Sequence, residues 1–325
     1  MPTIKDVAEK AGVSIATVSR VFNNRGYLSD ALKRRVAVAM EELDYHPNDL
    51  ARSLQKRKSF FLGLVVPSAA HPFFGELARY VEGFAWEQSY KVLLCNSLHE
   101  REKEREYIKM LKRSQVDGII MGSHTMDTKD YADLRLPVVS LDRELSPSIP
   151  YVCCDNRQGG ELAARHLIAK GCRDLIHISG SLAVPMLSNE RTEAFIAVCK
   201  KAGVSFLCYE LPDQSIVDFE IETEIRRILA NHPHCDGVFA TSDLTAAAVM
   251  SIATKTGKRV PEDLKIIGFD GTPTGRFLNP PLTTIRQPVE AISRYAVEFL
   301  IRMMDGEKVP SKTVLPVELL ERESA

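Results

Sequence analysis

Two textures divide the chain. Residues 4–54 place apolar side chains at helical spacing, in short runs broken by glycine or polar clusters. From Ser59 onward, short apolar runs alternate with longer amphipathic stretches. In the first texture, Thr3 is placed to cap a helix from Ile4 to about Lys10, with Asp6 completing a capping-box-like pattern. Val7, Ala8 and Ala11 supply its inner stripe. Ala11-Gly12-Val13 breaks it, and Ser14 is placed to cap a second helix. Ser29 caps a third, "SDALKRRVAVAMEEL", with Leu32, Val36, Ala39, Met40 and Leu43 inward. Asp44-Tyr45-His46-Pro47 ends it. "NDLARSLQKRKS" follows, with helical spacing from Ala51 to Leu54, and closes on the basic run Lys56-Arg57-Lys58.

The second helix, within "GVSIATVSRVFN", is unusual. At a period of about 3.6 residues, Val18, Val21 and Phe22 share one bulky apolar arc. Ile15, Ala16, Ser19 and Arg20 share an arc of mostly small residues with one arginine. A solvated face would carry Glu and Lys, and this one does not. A helix, a glycine-containing turn and a second helix with an exposed first turn make a helix-turn-helix. In that mode the second helix enters the major groove. Arg20 would bond guanine in bidentate fashion, and Ile15 and Ala16 would touch thymine methyls. Ser14, Thr17 and Asn23 would bond phosphates. The same pattern also suits a plain three-helix packing module.

Beyond Ser59, the runs "FFLGLVVP", "KVLLCNS", "VDGIIMGS", "LPVVSLDR" and "IPYVCCDN" read as strands, with helices between most of them. The pattern restarts with "DLIHISG", "CDGVFATS", "LKIIGFDG" and "LTTIRQP". Repeated βα units imply parallel sheets covered by helices. The strands exceed one comfortable sheet, so two lobes are expected. Ligands of open α/β sheets bind outside the carboxyl ends of strands. Asp142-Arg143, Asp155-Asn156, Ser242-Asp243 and Asp270 fall there. Asp, Arg and Asn match sugar hydroxyls, and an aromatic such as Phe73 or Phe74 covers an apolar ring face. For each Asp alone, capping of the following helix is the competing reading.

Composition adds bounds. The chain has 325 residues, 45% apolar and 26% charged, an ordinary globular mixture. It lacks a long apolar run and begins "MPTIKDVAEK", without an apolar signal core, so a cytoplasmic protein with no membrane partner is expected. Seven cysteines contain no CxxC pair and read as reduced thiols. Residues 1–58 hold eleven Lys and Arg against seven Asp and Glu, while the remainder is net acidic. A basic head on an acidic body favours an anionic partner for the head. "HPHC" at His232 to Cys235 has no second ligand pair, so no metal is expected. Nucleotide and hydrolase motifs are absent, which argues against an enzyme and against a cofactor. The two glycines of "RQGGELAARH" mimic a phosphate site at a helix start and are read as structural.

"TIKDVAEKAGVSIATVSRVFNNRGYLSDALKRRVAVAMEELDYHPNDLARSL" resembles the DNA-binding head of the lac repressor family of bacterial transcription regulators. "VDGII", "LDR", "SD", "IIGFDG" and "LTTIRQP" continue the resemblance along the body. "NSLHEREKEREYIKMLKRSQVDGII", "PLTTIRQP" and "VLPVELLERESA" resemble the sucrose operon repressors within it. The resemblance implies an all-α helix-turn-helix head at 1–46 and a hinge helix and linker at 47–58. It implies a two-lobed α/β body at 59–325, similar to periplasmic binding proteins, with parallel sheets. The N-lobe would span about 59–157 and 287–320, the C-lobe about 158–286. A homodimer on a pseudopalindromic operator is implied, and "ERESA" shows none of the C-terminal heptads of tetrameric relatives.

By the same resemblance, Ile15, Ala16 and Arg20 read bases, and Thr3, Ser14, Thr17, Ser19, Asn23 and Tyr27 complete the head's contacts. Asn48 and Ala51 belong to a hinge helix whose Leu54 wedges open the central base step. An eight-residue helix is marginal alone, so it would order only on DNA, and a wedge needs an apolar side chain. Effector contacts fall on Phe73, Asp142, Arg191, Ser242, Asp243, Asp270 and Gln287. Two positions depart from the family: Ser242 stands where Asn is common, and Ala194 where Gly is usual. The implied function is a repressor of a sugar operon, sucrose foremost, switched by a sugar or sugar phosphate. The alternatives are a catabolite-control regulator whose DNA binding a phosphoprotein corepressor promotes, and a plain sugar receptor of the periplasmic type.

Overall fold

Short polar side chains start the first helices. Asp6 accepts the Thr3 backbone N–H at 2.7 Å and the Thr3 hydroxyl at 2.8 Å, and α1 spans Ile4–Lys10. Ser14 Oγ accepts the Thr17 N–H at 3.1 Å ahead of α2, Ile15–Phe22. Ser29 Oγ accepts the Leu32 N–H ahead of α3, Asp30–Glu42. Gly12 turns the chain between α1 and α2 with φ of +61°, a left-handed conformation that a side chain resists. The structure, a computed structural model, describes residues 2–22, 28–45, 58–132, 134–212 and 221–325. Asn23, Tyr27, Asn48, Ala51 and Leu54, and with them the expected hinge helix, lie outside the described residues.

The chain forms two units, Met1–Ser59 and Phe60–Ala325. In the first, Val7, Ala8, Ala11, Val18, Val36 and Ala39 form the core, with Val21, Phe22, Met40, Leu43 and Tyr45 packed against it. Phe22 stacks on Tyr45 with 6.2 Å between ring centroids. The bulky arc of α2 is thus the one that is buried.

The second unit continues with β1 (Phe61–Val66), α4 (Pro72–Glu87), β2 (Lys91–Asn96), α5 (Arg101–Arg113) and β3 (Gly118–Met121). α6 (Thr128–Ala132), β4 (Val138–Leu141), β5 (Tyr151–Cys154), α7 (Asn156–Ala169) and β6 (Asp174–Ser179) follow. Next come α8 (Asn189–Ala202), β7 (Ser205–Glu210), α9 (Glu222–Asn231), β8 (Gly237–Ala240) and α10 (Asp243–Lys255). β9 (Lys265–Asp270), β10 (Thr283–Arg286), α11 (Val289–Met304), β11 (Lys312–Leu315) and β12 (Glu318–Leu320) complete it.

One sheet has the order β11-β5-β4-β3-β1-β2 and is wholly parallel. The other has the order β12-β10-β9-β8-β6-β7, parallel except where β12 meets β10. The expected N-lobe ran to residue 320, but β12 pairs in the second sheet. α6, β7, β11 and β12 carry no clear signal in the sequence. β7 and β11 edge their sheets, so half-exposed polar positions interrupt their apolar runs.

Close approach explains the paired glycines of α7. A Cβ on Gly160 would lie 2.1 Å from the Arg191 carbonyl oxygen, and one on Gly159 would lie 2.5 Å from the Phe269 ring. α7 therefore presses on α8 and on β9. Among the described residues no helix is long and apolar enough to cross a membrane, and no group of three or more His, Cys, Asp or Glu is placed to hold a metal ion.

His177 is fully buried on β6, between β8 and the edge strand β7. Its Nδ1 pairs with the Phe239 carbonyl at 3.0 Å and its Nε2 with the Thr192 hydroxyl at 2.9 Å. Burial lowers its pKa to about 4. The unfolded chain takes a proton on this residue below about 6.5, and the folded chain only near 4. Wild type therefore loses stability from this residue as pH falls through that window. In denaturant titrations, the stability gap between wild type and His177→Gln should shrink by about 3 kcal/mol between pH 7 and pH 4. A constant gap would contradict the buried neutral imidazole.

Candidate functional site

The first candidate is the open face of α2. Ile15 is 43% exposed, and Ser14, Ala16 and Arg20 are exposed beside it. Thr17 and Ser19 are half-buried. The Ser14 and Thr17 hydroxyls lie 2.9 Å apart and hold the start of the helix. Thr3 is exposed, its hydroxyl given to Asp6. α2 has no acidic residue in its first turn. An uncompensated helix N-terminus with small side chains permits close approach of a polyanion.

The second candidate is a cleft of about 560 Å³ inside the second unit, at the carboxyl ends of both sheets. That size suits a small-molecule ligand. Phe73, Asp142, Arg191, Ser242, Asp270 and Gln287 all line it. Its chemistry starts from a relay of side chains. Asp142, just past β4, has φ of +58°, and its Oδ1 accepts from Asn156 Nδ2 at 2.7 Å. Asn156 Oδ1 accepts from Arg191 Nε at 2.6 Å, and an Arg191 terminal nitrogen donates to the Thr241 carbonyl at 3.2 Å. The guanidinium lies 3.6 Å from the centroid of the Phe269 ring. Burial raises the Asp142 pKa, against Arg191 and the Asn156 bond, which lower it.

Asp270 ends β9 with φ of +111°. Its Oδ1 accepts from Gln287 Nε2 at 2.8 Å, while its Oδ2 is buried with no partner among the described residues. Burial, then the neighbouring Asp243, pushes the Asp270 carboxyl well above the usual range, and Arg191 pulls the other way. On the first sheet's side, Phe73 meets Phe74 edge-on at 5.2 Å.

Asp243 departs from expectation. It does not line the cleft. Its Oδ2 accepts from the Thr272 N–H at 2.6 Å and the Thr272 hydroxyl at 2.8 Å, and its Oδ1 accepts from the Thr284 hydroxyl. These donors hold it behind the wall, where burial raises its pKa to about 6. Ser242 does line the cleft, but its Oγ accepts the Thr245 N–H at 3.1 Å and caps α10. The sequence reading missed His71, His99 and His124, which line the cleft from the loops after β1, β2 and β3. They are scattered over more than fifty residues, and only the convergence of parallel strand ends unites them.

Residues 3–48 match the family model described as bacterial regulatory proteins, lacI family, and residues 164–325 match the periplasmic binding protein-like domain. The ribose operon repressor of Halalkalibacterium halodurans is 41% identical over 330 residues, covering 100% of this chain and 97% of its own. The sucrose operon repressor of Streptococcus mutans is 41% identical over 321 residues, covering 99% and 98%. The chain belongs to the LacI family of bacterial regulatory proteins. Its fold agrees: the lac repressor dimer solved with operator and the anti-inducer ONPF aligns with a TM-score of 0.85, at 26% identity over 99% of this chain and 98% of that one. As a LacI family member the protein is a transcription regulator and not an enzyme.

Asp270→Asn tests the cleft. Replacing the buried carboxyl by an amide keeps an oxygen for Gln287 and removes a group that burial disfavours as a charge. The melting temperature should stay level or rise, while affinity for the cleft ligand falls about tenfold or more. Unchanged affinity in calorimetry would remove Asp270 from the site.

Proposed function

We propose that the protein is a sugar-responsive repressor, acting in the cytoplasm as a homodimer on a pseudopalindromic operator. α2 reads the major groove: Arg20 supplies bidentate hydrogen bonds, and Ile15 and Ala16 supply apolar contacts. Ser14, Thr17, Ser19 and Thr3 hold phosphates, as do Asn23 and Tyr27. Leu54, on a hinge segment with Asn48 and Ala51, wedges the central base step. A sugar bound by Phe73, Asp142, Arg191, Asp270 and Gln287 shifts the lobes and lowers operator affinity.

The observation that carries the DNA-binding reading is the division of α2, with Val18 buried and Ile15, Ala16 and Arg20 exposed. The relatives support the sugar reading, since ribose and sucrose operon repressors match at equal identity. The cleft supports it too, with carboxylates, a guanidinium and an aromatic on its walls. Sucrose and ribose are therefore the first effectors to test.

The test uses DNA that the protein selects from a random pool. Arg20→Ala should weaken binding to the selected sequence by about ten- to a hundredfold and relax its preference at one base pair in each half-site. The selected sites should be twofold-symmetric. Undiminished binding and preference in Arg20→Ala would overturn this assignment of α2.

A further inference from the structure

Around the cleft, several buried polar atoms have no hydrogen-bond partner among the described residues. His124 is 7% exposed, and its Nε2 lies 2.6 Å from the Leu141 carbonyl oxygen. A carbonyl only accepts, so Nε2 carries the ring proton. Nδ1 then holds a lone pair. It is buried and has no partner among the described residues. Burial holds the imidazole at about 4, with Arg143 and His99 acting in the same direction. Glu104 and the Leu141 carbonyl oppose them without prevailing. The Glu104 carboxylate is itself filled by Ser123, Thr125 and Tyr131, and the Tyr131 ring packs edge-on to His124 at 6.4 Å. His124 is thus a neutral acceptor.

The same imbalance recurs around the cleft. His71, at the start of α4, has a buried Nδ1 without a partner among the described residues, and burial and His99 lower its pKa to about 4. Asp270 Oδ2, on the other sheet's wall, is likewise buried without a side-chain partner among the described residues. Arg191 is the one guanidinium or ammonium among the described lining residues, and two of its five N–H donors go to Asn156 and the Thr241 carbonyl. A buried polar atom without a partner is destabilising. A ligand is favoured here when it brings donors and no negative charge. A phosphate monoester does the reverse: it brings acceptors and a charge of about −1.5 to −2 into a cleft where burial already disfavours the charged forms of Asp142 and Asp270.

We infer that the cleft selects an unphosphorylated, neutral sugar over its phosphate ester, and that His124 is a specificity-determining residue that accepts a sugar hydroxyl at Nδ1. This rests on reading the cleft as a sugar site. The hydroxyl donors of a polyol answer His124 on one wall and Asp270 on the other. One molecule then couples the two sheets.

Calorimetry on the full chain tests it, with pentoses, hexoses and disaccharides, ribose and sucrose among them, each paired with its phosphate ester. The sugar that binds should do so at least tenfold more tightly than its ester. His124→Phe should weaken that sugar at least tenfold with little change in melting temperature. His124→Gln can keep a donor for Leu141 and offers an amide oxygen, so it should recover part of the loss; it also serves if His124→Phe fails to fold. An ester that binds as tightly as its sugar, or a sugar affinity indifferent to both substitutions, overturns the selection by His124 and leaves the sugar site standing. If neither sugars nor esters bind, the sugar site falls and this inference falls with it.

Discussion

The body is organised around the buried guanidinium of Arg191. The Arg191 guanidinium lies against the Phe269 ring, and its nitrogens bond Asn156 and the Thr241 carbonyl. A buried charge persists only when such partners surround it. Asn156 passes the constraint to Asp142, just past a strand of the first sheet, while Phe269 lies in the second sheet and Thr241 just past its strand β8. Gly160 lets α7 come close enough to α8 to set the Arg191 backbone. Several features separated along the chain thus serve to hold one side chain at the junction of two sheets.

Backbone strain marks the same place. Asp142 and Asp270 both occupy positive φ without being glycine or asparagine. Such conformations cost about 1–3 kcal/mol each and persist where surrounding bonds overdetermine them. Each Asp ends a strand and turns its carboxylate among the cleft groups, one per sheet. A ligand that bonds both walls changes the balance between arrangements of the lobes only through contacts that differ between them. The vacant acceptors at His124 Nδ1 and Asp270 Oδ2 are groups on which such a difference acts.

Much of this was legible in the sequence, for identifiable reasons. The helices of the head follow from Thr3, Ser14 and Ser29 as caps and from Val18 and Val36 as core positions, all local signals. The central parallel strands are buried on both faces and read as apolar runs. The edge strands β7 and β11 are half-exposed and do not. Six of the seven expected effector residues line the cleft because strand ends converge by topology. Asp243 lies behind the wall because Thr272 and Thr284 hold it, and they lie about thirty and forty residues away with no local pattern to announce them. The histidines of the first wall escaped for the same reason.

The central claim is that the cleft and the α2 face are thermodynamically linked. Linkage is reciprocal: a sugar that changes DNA affinity by some factor must have its own affinity changed by that factor. The decisive measurement is sugar affinity, by calorimetry, with and without saturating selected DNA. The account predicts that DNA weakens sugar binding by about five- to 150-fold, matching the loss of DNA affinity that saturating sugar causes. Equal sugar affinities in the two states would contradict it.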